Sequence, residues 1–163
     1  MNFRIGIGYD VHRLAEGETF TLGGIVIPHT KGSVGHSDGD TLIHAICDAL
    51  LGAANMRDIG FHFPDTSDDY KGIDSKILLK KTVSLIGEKG YKIGNIDSTI
   101  SLQKPKIKDH IKTMQKVLAE TCGIDIDDIS IKATTTEKLG FEGREEGVSA
   151  QAVVLIYKTK NKN

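Results

Sequence analysis

Phe3, Ile5, Ile7 and Tyr9 alternate with Arg4, Gly6, Gly8 and Asp10, a period of two that predicts a strand. The stretch TFTLGGIVIP predicts a short hairpin turning at Gly23-Gly24. Leu42, Ile43, Ile46, Ala49, Leu50 and Ala53 recur at helical spacing behind Asp40, a residue type suited to an N-cap. Residues 55–73, with DIGFHFPDTSDDYKG, lack periodicity and read as a long loop, a feature usually functional or mobile. A second helix is predicted from Asp74 to Lys89, stopping at Gly90, where a left-handed cap suits glycine. Ile96, Ser98, Ile100 and Leu102 predict another strand. Ile107, Ile111, Met114, Val117 and Leu118 mark a third helix that stops at Gly123. DISIKAT and GVSAQAVVLIYK close the chain as strands; the second is apolar throughout Val153 to Ile156, which predicts cover on both faces. With no repeat or linker, the pattern gives an α/β (α+β) fold: one domain over 1–158, a mixed sheet with helices packed on one face, and 159–163 as a flexible tail.

Composition narrows the function classes. A chain of 163 residues can bury roughly 70% of the surface its unfolded form exposes. A net charge of −1 provides no electrostatic footprint for nucleic acid or an anionic membrane. The lysine-dotted YKTKNKN reads as a solvated end. MNFRIGIGYD has no leader-like pattern, and no apolar run approaches the roughly 20 residues of a bilayer span. A cytoplasmic location is therefore expected, or an organelle stroma if a targeting segment has been removed. Cys47 and Cys122, each inside an apolar helical pattern, fit neither a disulfide framework nor zinc-finger spacing and read as buried structural thiols.

The chemistry concentrates in two places. In YDVHR, Asp10 and His12 sit at i and i+2 of extended chain and so share a face, while Val11 points away. His44, one turn inside the first helix, would complete a three-ligand set with an open fourth position, the arrangement of catalytic zinc. Asp48 follows on the same helical face and suits a supporting carboxylate that orients a ligand. Spacing alone leaves a plainer alternative open: a strand-end aspartate capping a turn beside a surface histidine. His29 and His110 are isolated, and His62 has no evident partner in its loop.

The second place is KATTTEKLGFEGREEG. Thr134, Thr135 and Thr136 offer successive hydroxyl and backbone donors suited to phosphate oxygens. Glu137 would serve a hard cation bridging those phosphates, and Arg144 could fork onto another. A threonine-rich edge with a solvated charged turn reads equally well from composition. QKPKIK, stiffened by Pro105, is either the lead-in to a helix or a nucleotide-binding loop.

Together YDVHR, HSDGD, DALLGAA, DIGFHFPDT, GYKIGNID, KATTTEKLGF and GREEG closely resemble the 2-C-methyl-D-erythritol 2,4-cyclodiphosphate synthase family of the non-mevalonate isoprenoid pathway, in order from about residue 4 to residue 157. The resemblance implies a homotrimer around a three-fold axis with active sites between subunits. It implies zinc held by Asp10, His12 and His44, with a substrate phosphate at the open position. His36 and Ser37 match the part closing over the diphosphate. Asp58, Ile59 and Gly60, with Phe63, Pro64, Asp65 and Thr66, match the loop that holds the methylerythritol group. Leu102, Lys104, Pro105, Lys106, Ile107 and Lys108, with Ala133, Thr134, Thr135, Thr136 and Glu137, match a cytidine and diphosphate pocket supplied by the neighbouring subunit. Glu137 matches the ligand of magnesium (or manganese) between the phosphates. Phe141 and Arg144 match a cavity on the axis where an isoprenoid diphosphate can bind. Three positions depart from the family's pattern. Leu102 stands where alanine is common, Phe61 where polar residues are frequent, and Glu145 adds a charge beside Arg144 that counts against binding at the axis.

The implied reaction is intramolecular: the 2-phosphate of 4-diphosphocytidyl-methylerythritol 2-phosphate attacks the β-phosphorus, releasing CMP and closing a cyclic diphosphate. Metals neutralise the two repelling anions, and no nucleophilic serine or cysteine is needed. His36 and Thr135 are then the groups expected to stabilise transition-state charge, with Asp48 in support. Two rivals are a zinc-dependent phosphoester hydrolase and a non-catalytic trimeric module binding nucleotides or isoprenoid diphosphates.

Overall fold

The computed structural model describes residues 2–158, so the predicted tail at 159–163 lies outside the described residues. Its main sheet contains β1 (Phe3–Glu16), β4 (Lys31–Val34), β5 (Tyr91–Ser101), β6 (Ile129–Thr134) and β7 (Gly147–Lys158), in the order β4-β1-β7-β5-β6. β5 and β6 run parallel and every other pairing is antiparallel, so the sheet is mixed. The predicted hairpin is present as β2 (Thr21–Leu22) and β3 (Ile25–Val26). Three helices supply the second layer: α1 (Thr41–Ala53), α3 (Ser75–Glu88) and α4 (Ile111–Cys122). Two single turns, α2 (Ile59–His62) and α5 (Gly140–Gly143), complete the set. Among the described residues, no helix is long and apolar enough to cross a membrane.

α1 is the central element. It is buried at nearly every position; only His44, Asp48 and Gly52, spaced four apart, escape burial. These three form one open stripe along a helix otherwise packed on all sides. Asp40 starts the helix from full burial, its carboxylate accepting from the N–H groups of Ile43, Gly23 and Gly24 at 3.0, 3.0 and 2.7 Å. One side chain therefore caps α1 and fastens the hairpin turn to it. Burial pushes the Asp40 carboxyl above its ordinary range even against these bonds.

β1 meets α1 through its glycines. A Cβ at Gly6 would stand 2.0 Å from the Ala49 carbonyl oxygen, and one at Gly8 would stand 1.8 Å from that of Ala45. Only glycine lets strand and helix backbones approach so closely. Asp10 and His12 continue the glycine face, which carries them beneath α1.

The opposite face corrects an expectation. The aliphatic residues of β1 point away from the helices: Ile5 is 72% and Ile7 71% exposed, with Phe3, Tyr9 and Val11 beside them. β7 likewise buries Val154 and Ile156 but exposes Val153, so in this chain the apolar run is covered on one face only. Continuous apolarity came from one core face and one uncovered face, not from a helix on each side. Phe3 pairs with Tyr157, Ile5 with Leu155 and Ile7 with Val153, so these side chains form one apolar stripe.

Boundaries differ elsewhere. β1 runs on to Glu16 and β5 starts at Tyr91, five residues before the alternation begins. β4 has no alternating signal because it contains a single aliphatic side chain, Val34. Residues 55–73 contain α2 and a 3-10 turn at Asp68–Tyr70. α4 starts at Ile111 after a 3-10 turn, and Ile107 is buried ahead of it. Gly90 and Gly123 have φ of +80° and +68°, the left-handed caps expected. Cys47 and Cys122 are both free and buried, and burial pushes the Cys122 thiol up to about 12.

Candidate metal centre and phosphate-binding site

Asp10 and His12 on β1 and His44 on α1 converge, with one ligand atom of each within 4.8 Å of the others. Asp10 Oδ2 lies 3.0 Å from His12 Nδ1 and 3.2 Å from His44 Nδ1. Ligand atoms bound about 2.0–2.1 Å from a tetrahedral centre stand about 3.3 Å apart, so the donor set and its spacing fit a zinc-sized divalent ion. The two imidazole rings are tilted by 53° with centroids 5.1 Å apart. Burial works to raise the Asp10 carboxyl, but the hydrogen bonds and charges of His12 and His44 outweigh it and hold it below its ordinary range. Burial likewise pulls His44 down, and Asp10, with Asp40 and Asp38 behind it, more than restores it.

The ligands open into a cavity of about 290 Å³ that also takes in His36, Ser37, Ile59, Gly60, Phe63, Asp65, Tyr70 and Leu78. Its outer wall is tied down by backbone: Gly72 N–H donates to His36 O (2.7 Å), and Asp38 N–H to Ile73 O (3.1 Å). His36 Nε2 stands 3.0 Å from Ser67 O. Asp58, Pro64 and Thr66 lie in the same segment but do not line the cavity. A larger groove of about 550 Å³, among the C-terminal ends of α3 and α4, gathers no comparable ligand set.

Two expectations need correction. Asp48 does not hydrogen-bond a metal ligand; its carboxylate accepts from the Ile59 N–H at 2.7 Å and so anchors α2 at the cavity's edge. Its place four residues after His44 puts it over the loop rather than over the imidazole. His62 does have a partner, the Met56 carbonyl oxygen at 2.7 Å from Nε2. Other contributors gave no motif in the sequence: Thr41 Oγ1 is 3.2 Å from His12 Nδ1, and Ser75 Oγ is 2.9 Å from His44 Nε2. Periodicity shows neither, because both hydroxyls are buried at helix starts where serine and threonine read as ordinary caps.

The second group of candidates gathers apart from the first. Parallel β5 and β6 end side by side, Ser101 against Thr134, and deliver 102–108 and 135–138 from their carboxyl ends, the usual place for ligands in parallel sheets. Leu102 N–H donates to Thr134 O (2.9 Å) and Lys138 N–H to Gln103 Oε1 (3.3 Å), which joins the two loops. Thr135 Oγ1 and Glu137 Oε1 are 3.3 Å apart on an exposed turn where Glu137 has φ +54°. Lys104, Pro105, Lys106, Ile107, Lys108 and Thr136 belong to these loops and Ala133 to the end of β6, and none reaches the metal-site cavity of the same chain. Phe141 lies in α5 against Gly147. Arg144 forks onto Glu146 at 2.9 and 3.4 Å, whereas Glu145 faces Lys104 at 3.9 Å.

A sequence profile described as the YgbB family matches residues 3–157. The chain belongs to the YgbB family. Among YgbB-family relatives, a Bacteroides fragilis protein named 2-C-methyl-D-erythritol 2,4-cyclodiphosphate synthase is 69% identical over 96% of this chain and 98% of its own length. One of the same name from Bacteroides thetaiotaomicron is 66% identical over 97% and 99%. Among solved structures, the bifunctional IspDF of Campylobacter jejuni superposes with a TM-score of 0.93 at 42% identity, covering 96% of this chain and 42% of that one. IspF of Plasmodium falciparum, in complex with CDP, gives 0.85 at 37% identity and 98% coverage of both.

Proposed function

We propose that this YgbB-family chain is a phosphorus–oxygen lyase that converts 4-diphosphocytidyl-2-C-methyl-D-erythritol 2-phosphate to 2-C-methyl-D-erythritol 2,4-cyclodiphosphate and CMP. The observation that carries the reading is the convergence of Asp10, His12 and His44 in a chain near-identical in length to relatives named for that activity. Zinc at this triad and magnesium at Glu137, when bound, would neutralise phosphate oxygens and lower the repulsion between attacking and departing groups.

The chain's own residues do the rest. Ile59, Gly60, Phe63 and Asp65 enclose the methylerythritol part, excluding water from the cavity. His36 and Ser37, at the mouth beside the ligands, offer hydrogen-bond donors to the diphosphate, and Thr135 does so from the cytidine side. The loops at 102–108 and 133–137 share no cavity with the triad of their own chain, which favours a complete site built between two copies. A homotrimer whose subunits bury the Phe3–Ile5–Ile7–Tyr9 stripe is the assembly we infer, since a stripe of this size is seldom left in water. The Arg144–Glu146 fork already occupies the guanidinium proposed for an axial isoprenoid diphosphate, so such a ligand would have to displace Glu146.

The deciding experiment incubates purified protein with the cytidylyl substrate, zinc and magnesium in ¹⁸O-water and follows the products by phosphorus NMR. Cyclisation gives CMP and a cyclic diphosphate without solvent oxygen. Incorporated ¹⁸O would make the protein a hydrolase, and an unchanged substrate would make it a binding module.

A further inference from the structure

Behind His44, on the side away from Asp10, stands a chain of polar groups that the reaction itself does not call for. His44 Nε2 lies 2.9 Å from Ser75 Oγ, and the Ser75 hydroxyl donates to Asp38 Oδ1. Asp38 holds the same residue twice, since its Oδ2 accepts the Ser75 N–H at 2.9 Å. The carboxylate is fixed in turn by the Asp40 N–H on Oδ1, at 3.1 Å. Ser75 is fully buried, so its hydroxyl has no water to turn to.

The direction of these bonds follows from the chemistry. A carboxylate only accepts, so the Ser75 hydrogen is committed to Asp38 and Ser75 Oγ meets His44 with a lone pair. His44 Nε2 must then keep its hydrogen, so Nδ1, the nitrogen 3.2 Å from Asp10 Oδ2, is the one free to exchange its hydrogen bond to Asp10 for a metal. We propose that Asp38 and Ser75 are positioning residues that lock His44 in the Nε2–H tautomer and aim Nδ1 at the metal. The proposal rests on the metal-centre reading above. It also gives Ser75 a place in the loop's closure: Ser75 ends the segment that walls the cavity, so the residue that seats the loop's far end is the residue that orients the ligand. Ser37 Oγ, 3.1 Å from the same nitrogen, can accept the Nε2–H as well but has no carboxylate behind it to fix its own hydrogen. Loss of Ser75 should therefore weaken the lock without abolishing the site.

The test measures zinc binding to the intact protein by competition with a chromogenic chelator, for wild type, Ser75→Ala, Asp38→Asn and His44→Ala. Outer partners of metal-bound histidines are typically worth about 10- to 100-fold in affinity. Ser75→Ala should fall at the lower end, because Ser37 substitutes in part. Asp38→Asn should lose more: with its oxygen on the Ser75 N–H, its amide donates to Ser75 Oγ and turns the hydroxyl toward Nε2, favouring the wrong tautomer. A metal on Nδ1 already leaves the hydrogen on Nε2, so in the zinc-loaded protein the readout that a purely structural role would not move is the His44 Nε2–H proton itself. It should give a downfield, slowly exchanging signal in wild type and an upfield-shifted, faster-exchanging one in Ser75→Ala. A loss of at least threefold in both variants, with that shift, upholds the proposal. A smaller loss in either, or an unchanged Nε2–H signal, overturns it. If wild type takes no zinc, or His44→Ala takes it equally well, the metal-centre reading falls together with this one. Zinc bound through His44 and indifferent to Ser75 sinks this one alone.

Discussion

Gly8 on β1 lies directly beneath Ala45 on α1, so close that a Cβ there would meet the Ala45 carbonyl oxygen at 1.8 Å. The same approach sets the depth of His44, the preceding residue of α1, above Asp10, two residues further along β1. Gly8→Ala should push the two backbones apart and cost about 3 kcal/mol, the upper part of the range for overpacking a close-packed core. Urea denaturation measures the cost, and zinc affinity should drop with it. A variant as stable as wild type would mean that the contact relaxes without strain.

His44 is proposed to supply one ligand; its side chain is only 12% exposed, but it meets the polar groups of Asp10, Ser37 and Ser75, so its loss removes hydrogen bonds rather than apolar core. His44→Ala should remove zinc binding and turnover while the helix, its Asp40 cap and the assembly persist. Metal analysis, far-ultraviolet circular dichroism and sedimentation separate these outcomes. A metal-loaded, active variant would take His44 out of the site.

Much of this site was legible before any coordinates. Asp-x-His on a strand shares a face by period, and His44 with Asp48 stands out on a helix that is otherwise apolar. What spacing alone left open was the join between strand and helix, because it depends on Gly6 and Gly8, residues that read as gaps in a polar face. The face choice in β1 was illegible for a related reason. Ile5 and Ile7 look like core, and only the demand of α1 for a flat glycine surface turns them outward. Ser75 and Thr41 act through hydroxyls whose partners are distant in sequence, and no local pattern records that. For Asp48, helical spacing gives its face but not the loop that folds over it, where its carboxylate accepts from the Ile59 N–H.

The outward stripe makes assembly testable apart from chemistry. Ile7 is exposed in the chain and pairs across the sheet with Val153, so Ile7→Asp should leave the monomer folded but place a charge inside the inferred subunit contact. Sedimentation should show a shift from trimer toward monomer, with turnover falling in parallel because the two halves of the site separate. A trimeric, active Ile7→Asp protein would place the contact elsewhere.

Burial predicts the behaviour of the two thiols. Cys47 is fully buried, and Cys122 is nearly so, with its ionisation pushed up to about 12. The thiolate is the reactive form, so neither should react with a disulfide reagent at pH 8 in the native protein, and both should react at once in denaturant. Rapid titration of either thiol under native conditions would show that α1 or α4 opens locally.

Glu137 tests the proposed division of roles between zinc and magnesium. Its turn is exposed and left-handed, with Thr135 Oγ1 3.3 Å from the carboxylate, and among the described residues no protein cation forms an ion pair with it. A hard ion such as magnesium takes one or two carboxylates and completes its shell with phosphate oxygens and water. Glu137→Gln keeps the shape and removes the charge, so zinc content should stay at the wild-type level while the magnesium concentration for half-maximal rate rises about tenfold or more. Saturating magnesium should recover part of the rate. Unchanged magnesium dependence in Glu137→Gln would remove this carboxylate from the ion's shell and leave the threonine hydroxyls as the loop's contribution.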